Sequence, residues 1–361
     1  MPIDAAPGVV PEYRLAITNA RILRLAFGTA LSLWFSQAVG WSVSYIAPII
    51  TLLLLATPMP RPKPKFLLVV VLALAVSIFG SFVFLPFVLH QMLVGFLLVA
   101  LALFHSFYFS ARGGAAVVGT LVTVGIAITV AIGTVSVDAL LGVAAGLMVG
   151  AIVGVLFAYV SHLLVPDPEE TLAQQTAAAE KPKPEVIPLA VARRNAMRSL
   201  AIVLPITFWF LISAASASNM AVMIKVSAMG QEAANQKAGA AAKSLIMSTL
   251  IGGVGAVIGW QILRIWPSLT LYTLLIALAG LIFGSRIFVG RGLREEGATW
   301  SYGFLTMIIL LAPAVLDGDY GSSADVRFND RLMMFIWATV YGVAAIHVFE
   351  AFWPRHRPNT R

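Results

Sequence analysis

The chain has 361 residues, of which 60% are apolar and 11% charged, with no cysteine and a net charge of +8. No soluble fold hides the long uncharged runs between its charge clusters, whereas a bilayer requires them. The missing cysteines exclude a disulfide framework, thiolate chemistry and a cysteine metal site. In a membrane chain the positive excess reports a Lys/Arg bias of the loops on one side, not a nucleic-acid partner.

Residues 1–20 carry Asp4, Glu12 and Arg14 and no cleavable apolar stretch, so they are expected to form a short cytoplasmic segment. Spans are predicted at Ile22–Val39, Trp41–Thr57, Phe66–Leu85, Phe87–Phe109, Ala115–Thr134 and Asp138–Val165, giving a first repeat over 21–165. Residues 166–198, rich in Ala, Gln, Glu, Lys and Pro, read as a partly flexible cytoplasmic linker. A second repeat over 199–354 follows, with spans at Ser199–Ala215, Met220–Met229, Leu245–Leu263, Leu269–Phe288, Trp300–Val315 and Leu332–Trp353, then a tail at 355–361. Twelve helices of about 20 residues use roughly 240 positions. The short loops that remain leave no room for a catalytic head, and neither an enzyme nor a cofactor is expected.

Twenty of the 24 basic residues fall in segments that this count places on one side. Arg264, Arg327 and Arg331 fall outside those segments, and Lys225 falls within a span. By the positive-inside rule both termini are cytoplasmic and the protein is multi-pass. An even number of spans per half makes the repeat parallel. The expected fold is thus an all-α polytopic membrane protein, about twelve helices in two parallel six-helix repeats. Repeats of this kind place a substrate path between the halves of a transporter.

Lys225 is the sharpest candidate residue. It sits in the shortest apolar stretch, and a lysine at a helix centre costs about 2.5–3.5 kcal/mol on insertion scales. With Ser216, Ser218 and Asn219 as N-cap candidates, it is expected to form a substrate-binding pocket for a small anion. The alternatives are a lysine snorkelling to the inner interface, or one paired with Glu350 or Asp138. Proton-relay candidates are His105, His90, His347 and Glu350, since His and Glu titrate where a coupled carrier needs it. Gly142, Gly146, Gly150 and Gly154 recur every four residues and form a ridge for helix packing in the bundle or in a homo-oligomer. No pair of residues has metal-site spacing. Asp317–Asp330 reads as the only sizeable outer loop, its carboxylates solvated and not arranged for calcium. Gly239 to Ser244 lacks the glycine before the lysine that a phosphate loop needs, and follows no strand.

Arg-Ile-Leu-Arg-Leu-Ala-Phe-Gly-Thr-Ala at 21–30 is followed by Trp41 to Pro48. Ala221-Val-Met-Ile-Lys-Val-Ser-Ala-Met-Gly-Gln-Glu is followed by Gly239 to Lys243 and by Gly252–Gly253. On these stretches the chain resembles the FUSC superfamily, which includes aromatic carboxylic acid efflux proteins of Gram-negative bacteria. Plant aluminium-activated malate channels look like more distant relatives. The chain departs from larger members in having a short linker where they carry a bulky cytoplasmic domain. The resemblance implies export of small aromatic or amphipathic carboxylates across a bacterial inner membrane, with a HlyD-type periplasmic adaptor as partner and, for some relatives, an outer-membrane channel. An anion channel of the same fold is the first alternative. An integral membrane enzyme on lipid-like substrates is the second, for which no cluster of Asp, His and Glu is evident.

Overall fold

A computed structural model describes residues 11–41, 43–59, 61–167, 187–213, 220–290, 296–316 and 322–353. The described residues form twelve helices and no strand. They are α1 Pro11–Val39, α2 Ile46–Leu55, α3 Pro64–His90, α4 Met92–Ala111, α5 Ala116–Gly133, α6 Val137–Leu164, α7 Leu189–Ile212, α8 Met220–Asn235, α9 Ala238–Ile265, α10 Leu269–Phe288, α11 Gly297–Leu316 and α12 Ser322–Phe352. Ten are long and apolar enough to cross a membrane; the two others, α2 and α8, are the second helix of each set of six. Phe79, Leu93, Trp209 and Trp337 lie exposed on the outside, as a lipid-facing surface requires. The protein is a polytopic all-α membrane protein.

Local chemistry sets many of the helix ends. Ser136 and Ser268 accept the amides of Ala139 and Leu271 and so cap α6 and α10. Gly40, Gly113 and Gly290 follow the ends of α1, α4 and α10 with positive φ, the left-handed turn that closes a helix C-terminus.

Three expected boundaries shift. A break at Pro86 does not occur: α3 runs through it to His90, because a proline removes one backbone hydrogen bond and membrane helices tolerate that loss. The linker expected to reach residue 198 ends sooner, since α7 begins at Leu189. The expected outer loop Asp317–Asp330 is helical from Ser322. Asp325 in that first turn is held by Trp260 (2.9 Å) and by Arg264 (3.1 Å) of α9, and a carboxylate there favours the positive helix end.

The helix contacts repeat. α3 lies on α5 as α9 lies on α11, and α1 lies on α2 as α7 lies on α8. Contacts between the two sets are exchanged in the same way: α1 packs on α10, and α4 on α7. The first helix of each six therefore rests on the fourth of the other. On the axis between the sets, α5 meets α8 and α2 meets α11. These central helices are the most enclosed: 89% of the α5 span is buried, against 28% for α4. Because successive helices alternate in direction, corresponding helices run the same way. The N-termini of odd-numbered helices and C-termini of even-numbered ones gather at one end, with Arg24, Arg61, Arg112, Lys237 and Arg286; it is called the basic end below.

Candidate functional site

The site is built on α8. Its 16 residues span about 24 Å at 1.5 Å per residue. Every residue from Ala221 to Ala234 is buried. The sequence pattern ends this helix at Met229; it continues six residues further. Gly230 allows this, because a Cβ there would stand 2.4 Å from Val203 Cγ2 and 2.9 Å from the Phe107 ring. The polar residues beyond it read as a turn only because their partners are distant in sequence. Gln231 Nε2 donates to Thr123 Oγ1 of α5 at 2.7 Å. Arg198, fully buried on α7, donates to the carbonyls of Ala233 and Gln236 and so neutralises the negative end of α8.

Two opposite charges lie on one side of α8. Lys225 is buried, and its Nζ donates to Thr306 Oγ1 of α11 at 2.8 Å; that hydroxyl donates in turn to the Tyr302 carbonyl at 2.7 Å. Seven residues on, about two turns or 10.5 Å along the axis, Glu232 is equally buried, and the two charges attract. Its Oε1 accepts a hydrogen bond from Ser244 of α9, whose oxygen is 2.6 Å from Thr299 Oγ1 of α11. Its Oε2 is buried with no hydrogen-bond partner among the described residues.

Glu232 forms the floor of a vestibule of about 390 Å³ that opens at the basic end. Its walls come from α2 and the turn after it (Leu53, Thr57), α5 (Ala116, Thr120), α8 (Asn235), α10 (Ile287) and α11 (Ser301, Tyr302). The N-terminal turns of α5 and α11, equivalent helices of the two sets, both line it and bring free amides to it. Beyond Leu53 and Thr120 the axis narrows to a void of about 10 Å³ lined by apolar side chains, among them Ile46, Ile49, Ile224 and Leu305. This apolar plug lies between the vestibule and the opposite end.

Of the sequence-predicted binding residues, Lys225 stands on this axis, one hydroxyl deeper than the vestibule wall. Ser216, Ser218 and Asn219 lie outside the described residues. Lys225 is neither snorkelling nor paired with Glu350 or Asp138. Asp138 is exposed in the first turn of α6, and Glu350 pairs with Arg194 (2.7 Å) and Arg198 (3.3 Å). None of the relay candidates lines the vestibule. His90 and His105 are exposed on outward faces, their Nδ1 atoms 2.9 Å and 2.7 Å from the carbonyls of Pro86 and Leu101, and His347 is exposed. The faces of α3 and α4 that carry His90 and His105 thus turn away from the axis. On α6, Gly150 and Gly154 seat Ile46 and Ala47 of α2, so this part of the ridge packs the bundle. Gly142 faces open space, and Gly146 is buried. Sequence reasoning missed Glu232 and Thr306. The readable signal for Glu232 was a Lys and a Glu seven apart, hence on one side of a helix.

Residues 21–161 match the model of a family described as "Protein of unknown function (DUF2955)", a membrane-protein family. The matched segment runs from the first arginine cluster to the last turns of α6, the first set of six helices. No curated protein and no solved structure matches the chain.

Proposed function

We propose that the protein is a membrane transporter of small amphipathic organic anions, aromatic carboxylates above all, which move along the axis between its two sets of six helices. The observation that carries this reading is the vestibule on that axis. Its volume of about 390 Å³ lies in the range of small-molecule sites. Two helix N-termini reach it, and the buried ammonium of Lys225 stands beyond its floor. The lining mixes apolar groups such as Leu53 and Ile287 with hydroxyls and amides such as Thr57, Ser301 and Asn235, which suits an aromatic acid.

In this reading the basic end is cytoplasmic and the protein sits in an inner membrane. Export, with a HlyD-type adaptor and an outer-membrane channel, is supported by the FUSC likeness. The apolar plug favours a carrier that must change conformation over an open channel. The test is flux of 4-hydroxybenzoate into liposomes holding the purified full-length protein. Lys225→Ala is expected to abolish flux while folding is retained. Undiminished flux in that variant would overturn the proposal, and flux indifferent to a collapsed proton gradient would favour the channel.

A further inference from the structure

We infer that Glu232 is the proton site of this pathway: one organic anion and one proton occupy the vestibule together, the proton on the Glu232 carboxyl group. The inference rests on the anion reading above and names the ion taken up when the substrate binds.

An anion coming in from the basic end meets Glu232 before Lys225, because Glu232 and Tyr302 line the vestibule and Lys225 lies behind Thr306. A bare carboxylate at that floor repels it. The carboxylate is also built asymmetrically. Ser244 occupies Oε1, and Oε2 is left buried and unpartnered on a residue that lines the cavity. A proton taken from vestibule water forms an O–H bond at Oε2, and the carboxyl group becomes a donor for the arriving anion. The proton returns to water when the anion leaves.

Charge conservation supports this order. Without substrate, Lys225 and Glu232 sum to zero in a medium where an unbalanced charge is costly. With an anion alone the site would hold a net negative charge. With an anion and a proton it is again neutral. The charges around Glu232 leave it as the group that changes. On α11 its titratable neighbour is Tyr302, and on α8 it is Lys225. Helix α5 carries no titratable side chain. On α4, His105 faces outward, and Arg112 just after that helix is exposed; on α9, Lys243 is exposed. Arg198 of α7 is committed to the end of α8 and to Glu350 of α12.

The test is calorimetric binding of 4-hydroxybenzoate to the full-length protein between about pH 6 and 8, where the ligand stays a carboxylate. Wild-type affinity is expected to rise as pH falls, by up to about tenfold per unit for one linked proton. Glu232→Gln is expected to bind with the low-pH affinity at every pH. Titrations of the wild type in buffers of different ionisation heat count protons directly and need no variant; one proton taken up per anion is expected. No proton uptake, or a Glu232→Gln variant that keeps the wild-type slope, overturns the inference and leaves the anion reading standing. A wild type that does not bind the probe, or a Lys225→Ala variant that binds it equally well, overturns both.

Discussion

Lys225 and Thr306 meet at 2.8 Å between α8 and α11, and this hydrogen bond is what lets an ammonium rest buried on the central axis. Thr306 cannot be replaced freely. Thr306→Val keeps the shape and removes the acceptor, so a buried charge loses a partner; a loss of about 1–3 kcal/mol is expected. Thr306→Ser is expected to recover most of it. Lys225→Met, in contrast, leaves the buried Glu232 carboxylate unbalanced, so it is expected to hold its fold best at low pH, where that carboxylate is protonated, while losing anion binding. Thermal unfolding of the detergent-solubilised protein checks the stabilities. A Lys225→Met variant that is both destabilised and binding-competent would mark a structural lysine.

Gly252 of α9 is what allows α11 to sit where Thr306 can be reached. A Cβ at Gly252 would stand 2.3 Å from the Gly303 carbonyl oxygen and 2.6 Å from Thr306 Cβ, and a carbonyl cannot swing aside as a side chain can. Gly252→Ala is expected to force the two helices apart, at about 1–3 kcal/mol. Gly142→Ala on α6, which meets nothing within 4 Å, is expected to leave the unfolding temperature unchanged. Equal effects of the two changes would contradict the close approach of α9 and α11.

Arg198 joins three helices from a fully buried position: two carbonyls at the end of α8 and the carboxylate of Glu350 on α12. Arg198→Ala leaves two carbonyls without their charged donor, while Glu350 keeps Arg194, and is expected to cost about 1–3 kcal/mol, the range for buried groups left unsatisfied. Arg198→Lys is expected to recover little, since a single ammonium cannot reproduce the planar fork. If Lys restored full stability, the arrangement of donors would be irrelevant and only the charge would matter.

The fold was legible because a bilayer writes its demands into long apolar runs, and α10 spans the very residues expected for it. What failed was judging polar residues by their neighbours in sequence. Gln231 and Glu232 look like a turn until Thr123, Ser244 and Arg198 are brought from elsewhere, and Asp325 looks like a loop until Trp260 and Arg264 reach it. Lys225 was readable as out of place in an apolar helix; its partner, eighty-one residues away, was not. The histidines misled for a related reason. Depth along a span says nothing about which way a helix face turns, and His90 and His105 face outward.

The plug above Glu232 supplies the last prediction. Ile49 and Leu305 come from the second helix of one set and the fifth of the other, so the barrier is made jointly by both halves. A gate of this kind blocks an anion because its one hydroxyl, Thr120, already donates to the Ala116 carbonyl and the other side chains along it are apolar, so nothing replaces water. Leu305→Ala removes a fully buried side chain from it and is expected to leave a cavity, at about 2–5 kcal/mol. A wider and wettable constriction is expected to add a leak: 4-hydroxybenzoate flux into liposomes that persists when the proton gradient is collapsed, on top of coupled flux. Leu281→Ala on α10, half exposed on the outside of the bundle, is expected to add none. If Leu305→Ala folds and its flux remains fully gradient-dependent, the plug is not the barrier, and the path between the halves must close elsewhere.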